Sequence, residues 1–393
     1  MFLMPFVANA IHPISRIGNI TAGNTTVSGA SVLGSALGSS TSPNDTTALF
    51  CALLFIIIIG SIFVGPLPAY VDTMSVNAVK TSDTGATYGI QRIFGSLGFS
   101  LASLLASVAV EHYHDKWLSK YTAVFILYFS CAIALIPFGY YVVSQTNWDD
   151  TDKSTTTTTT TDQENKSGMK MVKKIFRMCS KPEVLIVMVT VLISGLANNI
   201  FNSFAFKFAA EVFVQSKKTE ISFIFVIATG AEVLLFPFTE KLIKILGGPT
   251  ISMSLGIFSF FVRFLIMATT RSLPLMLTVQ LLHAFGFALF WAALMEFLHV
   301  ISPKDIMMSM FLIFQSIMFG VAALLANVVG GYLYERVGGG RMFAGTGVMC
   351  GVWSLIITVY YGFQYWNGRR SGGGAPNVGA EMGTDNQGGD CAK

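Results

Sequence analysis

The chain has 393 residues, of which 53% are apolar and only 12% charged, and its formal charge is +4. A soluble globular chain carries about 25% charged residues and no repeated apolar stretches near 20 residues long, so lipid is the expected solvent for most of this one. The small positive charge gives no ground for a nucleic-acid partner, and the five cysteines show no disulfide frame or zinc spacing.

Residues 1–47 are rich in Ser, Thr, Gly and Asn and contain the sequons Asn19-Ile-Thr, Asn24-Thr-Thr and Asn44-Asp-Thr. The segment reads as extracellular, with Asn19, Asn24 and Asn44 as glycosylation candidates. The alternative is chance matches in a Thr/Asn-rich stretch. Phe2 to Ile11 lacks a basic start and a long unbroken apolar run, so no signal peptide is expected there.

Nine apolar spans follow: Ala48–Tyr70, Phe94–Val110, Thr122–Val143, Val184–Phe206, Ser222–Phe238, Ile251–Met267, Leu273–Val300, Ile306–Tyr334 and Met342–Tyr361. A helix needs about 20 residues to cross a hydrocarbon core of roughly 30 Å. Residues 48–145 form a partial N-terminal bundle of three helices and 182–363 a C-terminal six-helix bundle. Between them, residues 146–181 read as a cytoplasmic linker. It holds a Thr155–Thr161 run and a basic stretch, Met169 to Met178, that puts Met169, Val172 and Phe176 on one helical face. That face suits a helix lying on the inner leaflet. Residues 364–393 form a Gly-rich tail expected to be disordered.

An odd number of spans puts the termini on opposite sides. With the N-terminus outside or lumenal, 15 of the 25 Lys and Arg are cytoplasmic, nine are outside and Arg263 is left within a span. The positive-inside bias therefore favours N-out, C-in in a multi-pass protein of the plasma membrane or an endomembrane.

Charges inside lipid spans are costly and point to function or to internal pairing. Arg263 sits in Phe-Phe-Val-Arg-Phe-Leu-Ile, Glu232 in Thr-Gly-Ala-Glu-Val-Leu-Leu and His283 in Leu-Leu-His-Ala-Phe-Gly-Phe. They fall on successive helices, so one shared cavity is the expectation, with Arg263 and Glu232 pairing to lower each other's desolvation cost. Pairing as internal glue, and for His283 a neutral imidazole bonded to backbone, are the plainer readings. Asn198, Asn199, Asn202 and Ser203 lie within one helical face, serving either interhelical glue or substrate contact. Gly65-Pro-Leu-Pro breaks a span end ahead of Asp72, and Tyr88-Gly-Ile-Gln-Arg-Ile-Phe-Gly-Ser-Leu-Gly follows with Arg92. Broken helices and small-residue runs suit alternating-access transporters, although Arg92 equally suits an inner-face anchor. His112 and His114, beside Glu111 and Asp115, give only a weak metal signal, and neither a metal nor a cofactor is expected. The spans contain no His-Glu-X-X-His motif, paired catalytic aspartates or nucleophile–base arrangement, so an enzyme is not expected.

Three of these stretches carry a resemblance. Tyr88-Gly-Ile-Gln-Arg-Ile-Phe-Gly-Ser-Leu-Gly-Phe resembles the entry to the fifth helix of the lactose-permease-like branch of the major facilitator superfamily. Leu281-Leu-His-Ala-Phe-Gly-Phe-Ala-Leu-Phe-Trp-Ala-Ala resembles its tenth helix, and Gly330-Gly-Tyr-Leu-Tyr-Glu-Arg-Val-Gly the end of its eleventh. Within the superfamily the chain looks most like the animal major facilitator superfamily domain-containing protein 6 group. The resemblance implies an all-α membrane protein, a major-facilitator-type bundle of about nine transmembrane helices equivalent to helices 4–12, with the first three of twelve missing. A chain with half of one bundle is expected to transport poorly alone.

By the same resemblance Arg92 matches a substrate-binding arginine, and Arg263, His283 and Glu232 match a proton-coupling network. Asp72 is carried as a further substrate or coupling candidate. The branch's proton-carrying carboxylate is replaced by Gly286, and two charge-pair lysines by Gln280 and Phe319. The implied function is movement of a small solute by alternating access, with the proton as candidate coupling ion and the lipid bilayer as partner. The alternative is a receptor or scaffold derived from a transporter.

Overall fold

The computed structural model describes residues 88–112, 122–145 and 171–370 except 304 and 305, together with Phe55 and Val71. Apart from Phe55, the span Ala48–Tyr70 lies outside the described residues, as do Asp72, the three sequons, His114, the Thr155–Thr161 run and residues 371–393.

The described chain is a succession of helices: α1 Tyr88–His112, α2 Thr122–Gln145, α3 171–179, α4 Pro182–Val212, α5 Thr219–Leu246, α6 Pro249–Thr269, α7 Leu273–Ile301, α8 Met307–Val337 and α9 Gly339–Arg370. Six of them, α4 to α9, are long and apolar enough to cross a membrane. Their boundaries follow from local chemistry. Proline opens α4 and α6, where its missing N–H costs nothing. Within α5, Phe236-Pro-Phe forces a 3₁₀ turn because Pro237 cannot donate, and the helix resumes over Thr239–Leu246. Gly247, at φ 92°, then ends it in the left-handed conformation. At the far end, α9 runs to Arg370, seven residues into the segment expected to be disordered. The helix continues through Gly362 and Asn367-Gly368 and stops only before Ser371-Gly-Gly-Gly.

Two further helices are irregular inside. The π turn of α7 spans Ala284–Leu289, after a 3₁₀ turn at Val279–Leu282, and that of α8 spans Ile317–Val321. Such π turns disturb the regular ladder and recur at functional sites. Met318, inside the α8 turn, gives its carbonyl to Asn199 Nδ2 at 2.9 Å, while Asn199 also donates to Gly195 O at 2.7 Å. Gly195 makes this contact sterically possible. A Cβ there would stand 2.7 Å from Met318 O and 2.8 Å from Ala322 Cβ, the close approach of small residues that packs helices in lipid.

α6 packs on α9 and α7, α4 on α8, and α1 on α5. The fully buried interior is aromatic, with Trp291, Phe201, Phe260, Phe264, Phe290 and Phe314, and Arg263 is buried among the same helices. Outward faces stay apolar: Leu324 and Val328 on α8, and Leu355 and Val359 on α9, are all exposed. In water such a surface would aggregate; against acyl chains it is at home. On α3, Ile175 and Met178 turn into the core, while Val172 and Phe176 are exposed beside Lys173 and Arg177.

Candidate functional site

Arg263 is wholly buried on α6, where an unsatisfied guanidinium would be prohibitive. Its Nε donates to Gln280 Oε1 at 3.0 Å and its Nη2 donates to the same oxygen. Gln280 is held in place by donating its own Nε2 to Met276 O at 2.7 Å. The third contact runs from Arg263 Nη1 to His283 Nδ1 at 2.8 Å. One face of the guanidinium lies on Phe201, with Cζ 3.7 Å from the ring centroid, a desolvated cation–π contact.

These contacts assign the histidine tautomer. Arginine has donors and no acceptor, so His283 Nδ1 must accept and carry no proton. The neutral imidazole then bears its proton on Nε2, which stands 2.9 Å from Glu232 Oε1 and donates to it. The other carboxylate oxygen, Glu232 Oε2, accepts from Ser96 Oγ at 2.8 Å. Glu232 is 4% exposed and Ser96 7%, so water makes little contribution to their solvation. Glu232 and Arg263 are bridged here rather than in direct contact. The cation and the carboxylate are joined through His283, and Gln280 rather than Glu232 takes the remaining donors. The reason is helical placement: His283 projects from the α7 turn between α5 and α6, and intercepts both charges.

An aromatic ladder leads away from this relay. His283 stacks on Phe287 at 5.8 Å and Phe287 on Trp291 at 6.2 Å, following the i, i+4, i+8 face of α7. Above Trp291 lies Arg92 of α1, its Cζ 5.6 Å from the ring centroid. Arg92 and Ser96 are one turn apart on α1, so a single face of that helix meets Trp291 at the end of the ladder and Glu232 of the relay. The structure thus brings together Glu232, Arg263 and His283, and reaches Arg92 through stacked rings; Asp72 lies outside the described residues.

Gly286 follows His283 in the π turn. A Cβ there would be 3.0 Å from the Phe260 ring and from Ser259 Oγ, so the position expected for a carboxylate is filled by a neighbouring ring. Of the Asn stripe, Asn199 and Ser203 act as glue: Ser203 Oγ donates to Asn327 Oδ1 at 2.8 Å. Sequence reasoning missed Ser96, which stood inside a small-residue run, and Gln280, which registered only as an absent lysine. It also missed a polar cluster joining the ends of α4 and α8. There Tyr334 donates to Glu211 Oε2 at 2.5 Å and Lys207 Nζ sits 4.4 Å over the Tyr334 ring. Among the described residues no group of three or more His, Cys, Asp or Glu is arranged to hold a metal ion.

Compared with known families, the chain matches the MFS_1 like family over residues 5–344.

Proposed function

The chain belongs to the MFS_1 like family, within a superfamily of membrane transporters, and from that premise we propose that it moves a small solute by alternating access, with Glu232 as the proton-carrying group. The single observation that carries this reading is the buried relay Arg263–His283–Glu232. Ionisable groups are kept inside a membrane bundle at high cost and mark ion or substrate pathways. Glu232 is such a group, with His283 Nε2 and Ser96 Oγ each donating to its carboxylate. Proton arrival neutralises Glu232, and solute would bind near Arg92 and Trp291, between helices that rock in turn. We place the chain in the lactose-permease-like branch on its α1 and α7 motifs.

The reading is tested in vesicles of reconstituted protein under an inward proton gradient. Panels of neutral sugars, nucleosides, amino acids and organic acids are added and interior pH followed with a trapped dye. Solute-dependent acidification that Glu232→Gln abolishes supports it. Folded protein giving no acidification with any panel member supports the receptor or scaffold instead, a reading favoured by Gly286, where the branch's carboxylate position is packed shut.

A further inference from the structure

Hydroxyls line the seam between α1 and α5 on either side of the Glu232 turn. Ser96 and Ser100 lie one turn apart on α1. Ser96 Oγ donates to Glu232 Oε2 at 2.8 Å, and Ser100 Oγ contacts Thr229 Oγ1. Thr229 Oγ1 can donate to Phe225 O at 2.8 Å, and Ser100 Oγ reaches Val226 O of α5 at 3.5 Å. Along this seam, then, α1 supplies the donors and α5 the acceptors.

We propose that Ser96 is a positioning residue that ties α1 to the ionised form of Glu232, so that protonation of this carboxylate loosens the α1–α5 seam. Resting on the reading of Glu232 as the proton-carrying group, it adds how a proton would be converted into helix movement. His283 donates from Nε2 to Oε1, and it cannot shift that proton to Nδ1 without taking Arg263's acceptor. The incoming proton therefore bonds to Oε2, the oxygen that Ser96 serves. A hydroxyl bond to an ionised acceptor is about twice as strong as one to a neutral group, so the new O–H on Oε2 weakens the Ser96 contact. The titratable and charged groups facing this carboxylate from the helices packed around it are His283 on α7, Arg263 behind it on α6, and Arg92 one turn before Ser96 on α1. All three belong to the relay or to its aromatic extension.

The seam is read without transport by placing a cysteine at Ala106, a buried α1 position 4% exposed, with the native cysteines replaced by serine. N-ethylmaleimide labelling of Ala106→Cys in membranes then follows opening of α1. At one fixed pH, Glu232→Gln should speed labelling about five-fold, the scale of one charge-assisted hydrogen bond made neutral. Ser96→Ala should speed it at least as much, Ser96→Thr should leave it near the parent rate, and Glu232→Gln added to Ser96→Ala should add nothing. An unchanged rate in Glu232→Gln, or effects that multiply independently, would overturn the proposal. Should Glu232→Gln not assemble, the Ser96→Ala to parent ratio measured across pH decides, since thiol ionisation cancels. It should fall toward one in acid, and a constant ratio sinks the idea. Failure of proton-driven uptake leaves this measurement intact, and the reverse also holds.

Discussion

His283 and Glu232 meet at 2.9 Å through Nε2 and Oε1, while the opposite nitrogen of the same ring is held by Arg263 at 2.8 Å. The imidazole is thus a neutral spacer that lets a buried cation and a buried carboxylate compensate each other without touching. Coupling between Glu232 and Arg263 should consequently have two parts, a Coulombic one through space and a hydrogen-bonded one through His283. Glu232→Gln and Arg263→Leu should each destabilise the detergent-solubilised protein, and the double change should cost less than the summed single losses by about 1–3 kcal/mol. Made on a His283→Ala background, the same cycle should show a smaller interaction, the Coulombic part alone. A thermal-unfolding cycle with strict additivity in the wild-type background would remove the relay.

Gln280 should not tolerate a positive charge. Its Oε1 takes two of the Arg263 donors, so Gln280→Lys replaces an acceptor by a second buried cation. The expected loss is about 3–5 kcal/mol, the scale of an uncompensated buried charge. Gln280→Glu, which keeps the acceptor and adds an opposite charge, should fold far better. Comparing melting temperatures of the two variants checks the sign directly.

Gly286 should resist the carboxylate that the related branch carries. A Cβ there meets Phe260 and Ser259 at 3.0 Å, and Phe260 is itself fully buried against Phe264. Gly286→Ala should therefore cost about 1–3 kcal/mol from overpacking. Shortening the obstructing ring with Phe260→Leu should recover part of that loss, as measured by thermal unfolding of the single and double variants.

Gly195 should be the most size-sensitive position of the α4–α8 contact. Gly195→Val inserts a side chain within 3 Å of the Met318 backbone, prying apart the helices that Asn199 ties together at 2.9 Å. A loss of about 1–3 kcal/mol or more is expected, whereas Gly320→Ala, with open space around its Cβ, should be nearly neutral in the same assay.

Orientation gives the last expectation. Asn19, Asn24 or Asn44 should carry glycan on the lumenal face, and the basic stretch 170–181 should be cytosolic. Glycosidase treatment should increase gel mobility of the expressed protein. An N-terminal tag reached by protease only from the cytosol, with no mobility change, would reverse the topology.

Membrane residence and the six spans α4 to α9 were legible in the sequence because a span is a local property. Some 20 consecutive apolar residues suffice, and their faces need no partner protein surface when lipid covers them. Helix ends at Pro182, Pro249 and Gly247 are local too, although the sequence reading did not use them. The suspicion attached to Glu232, Arg263 and His283 also needed only one dimension, since any charge within such a stretch stands out. Who pairs with whom did not. Arg263 chooses Gln280 and His283 because α6 and α7 place them within reach, and Glu232 gains Ser96 from a helix 136 residues away in the chain. Met318 becomes an acceptor for Asn199 where a π turn disturbs the α8 ladder. Hydropathy records what each residue would pay in lipid, whereas the partners that cancel that cost are decided by helix packing, which brings together residues that no spacing rule relates.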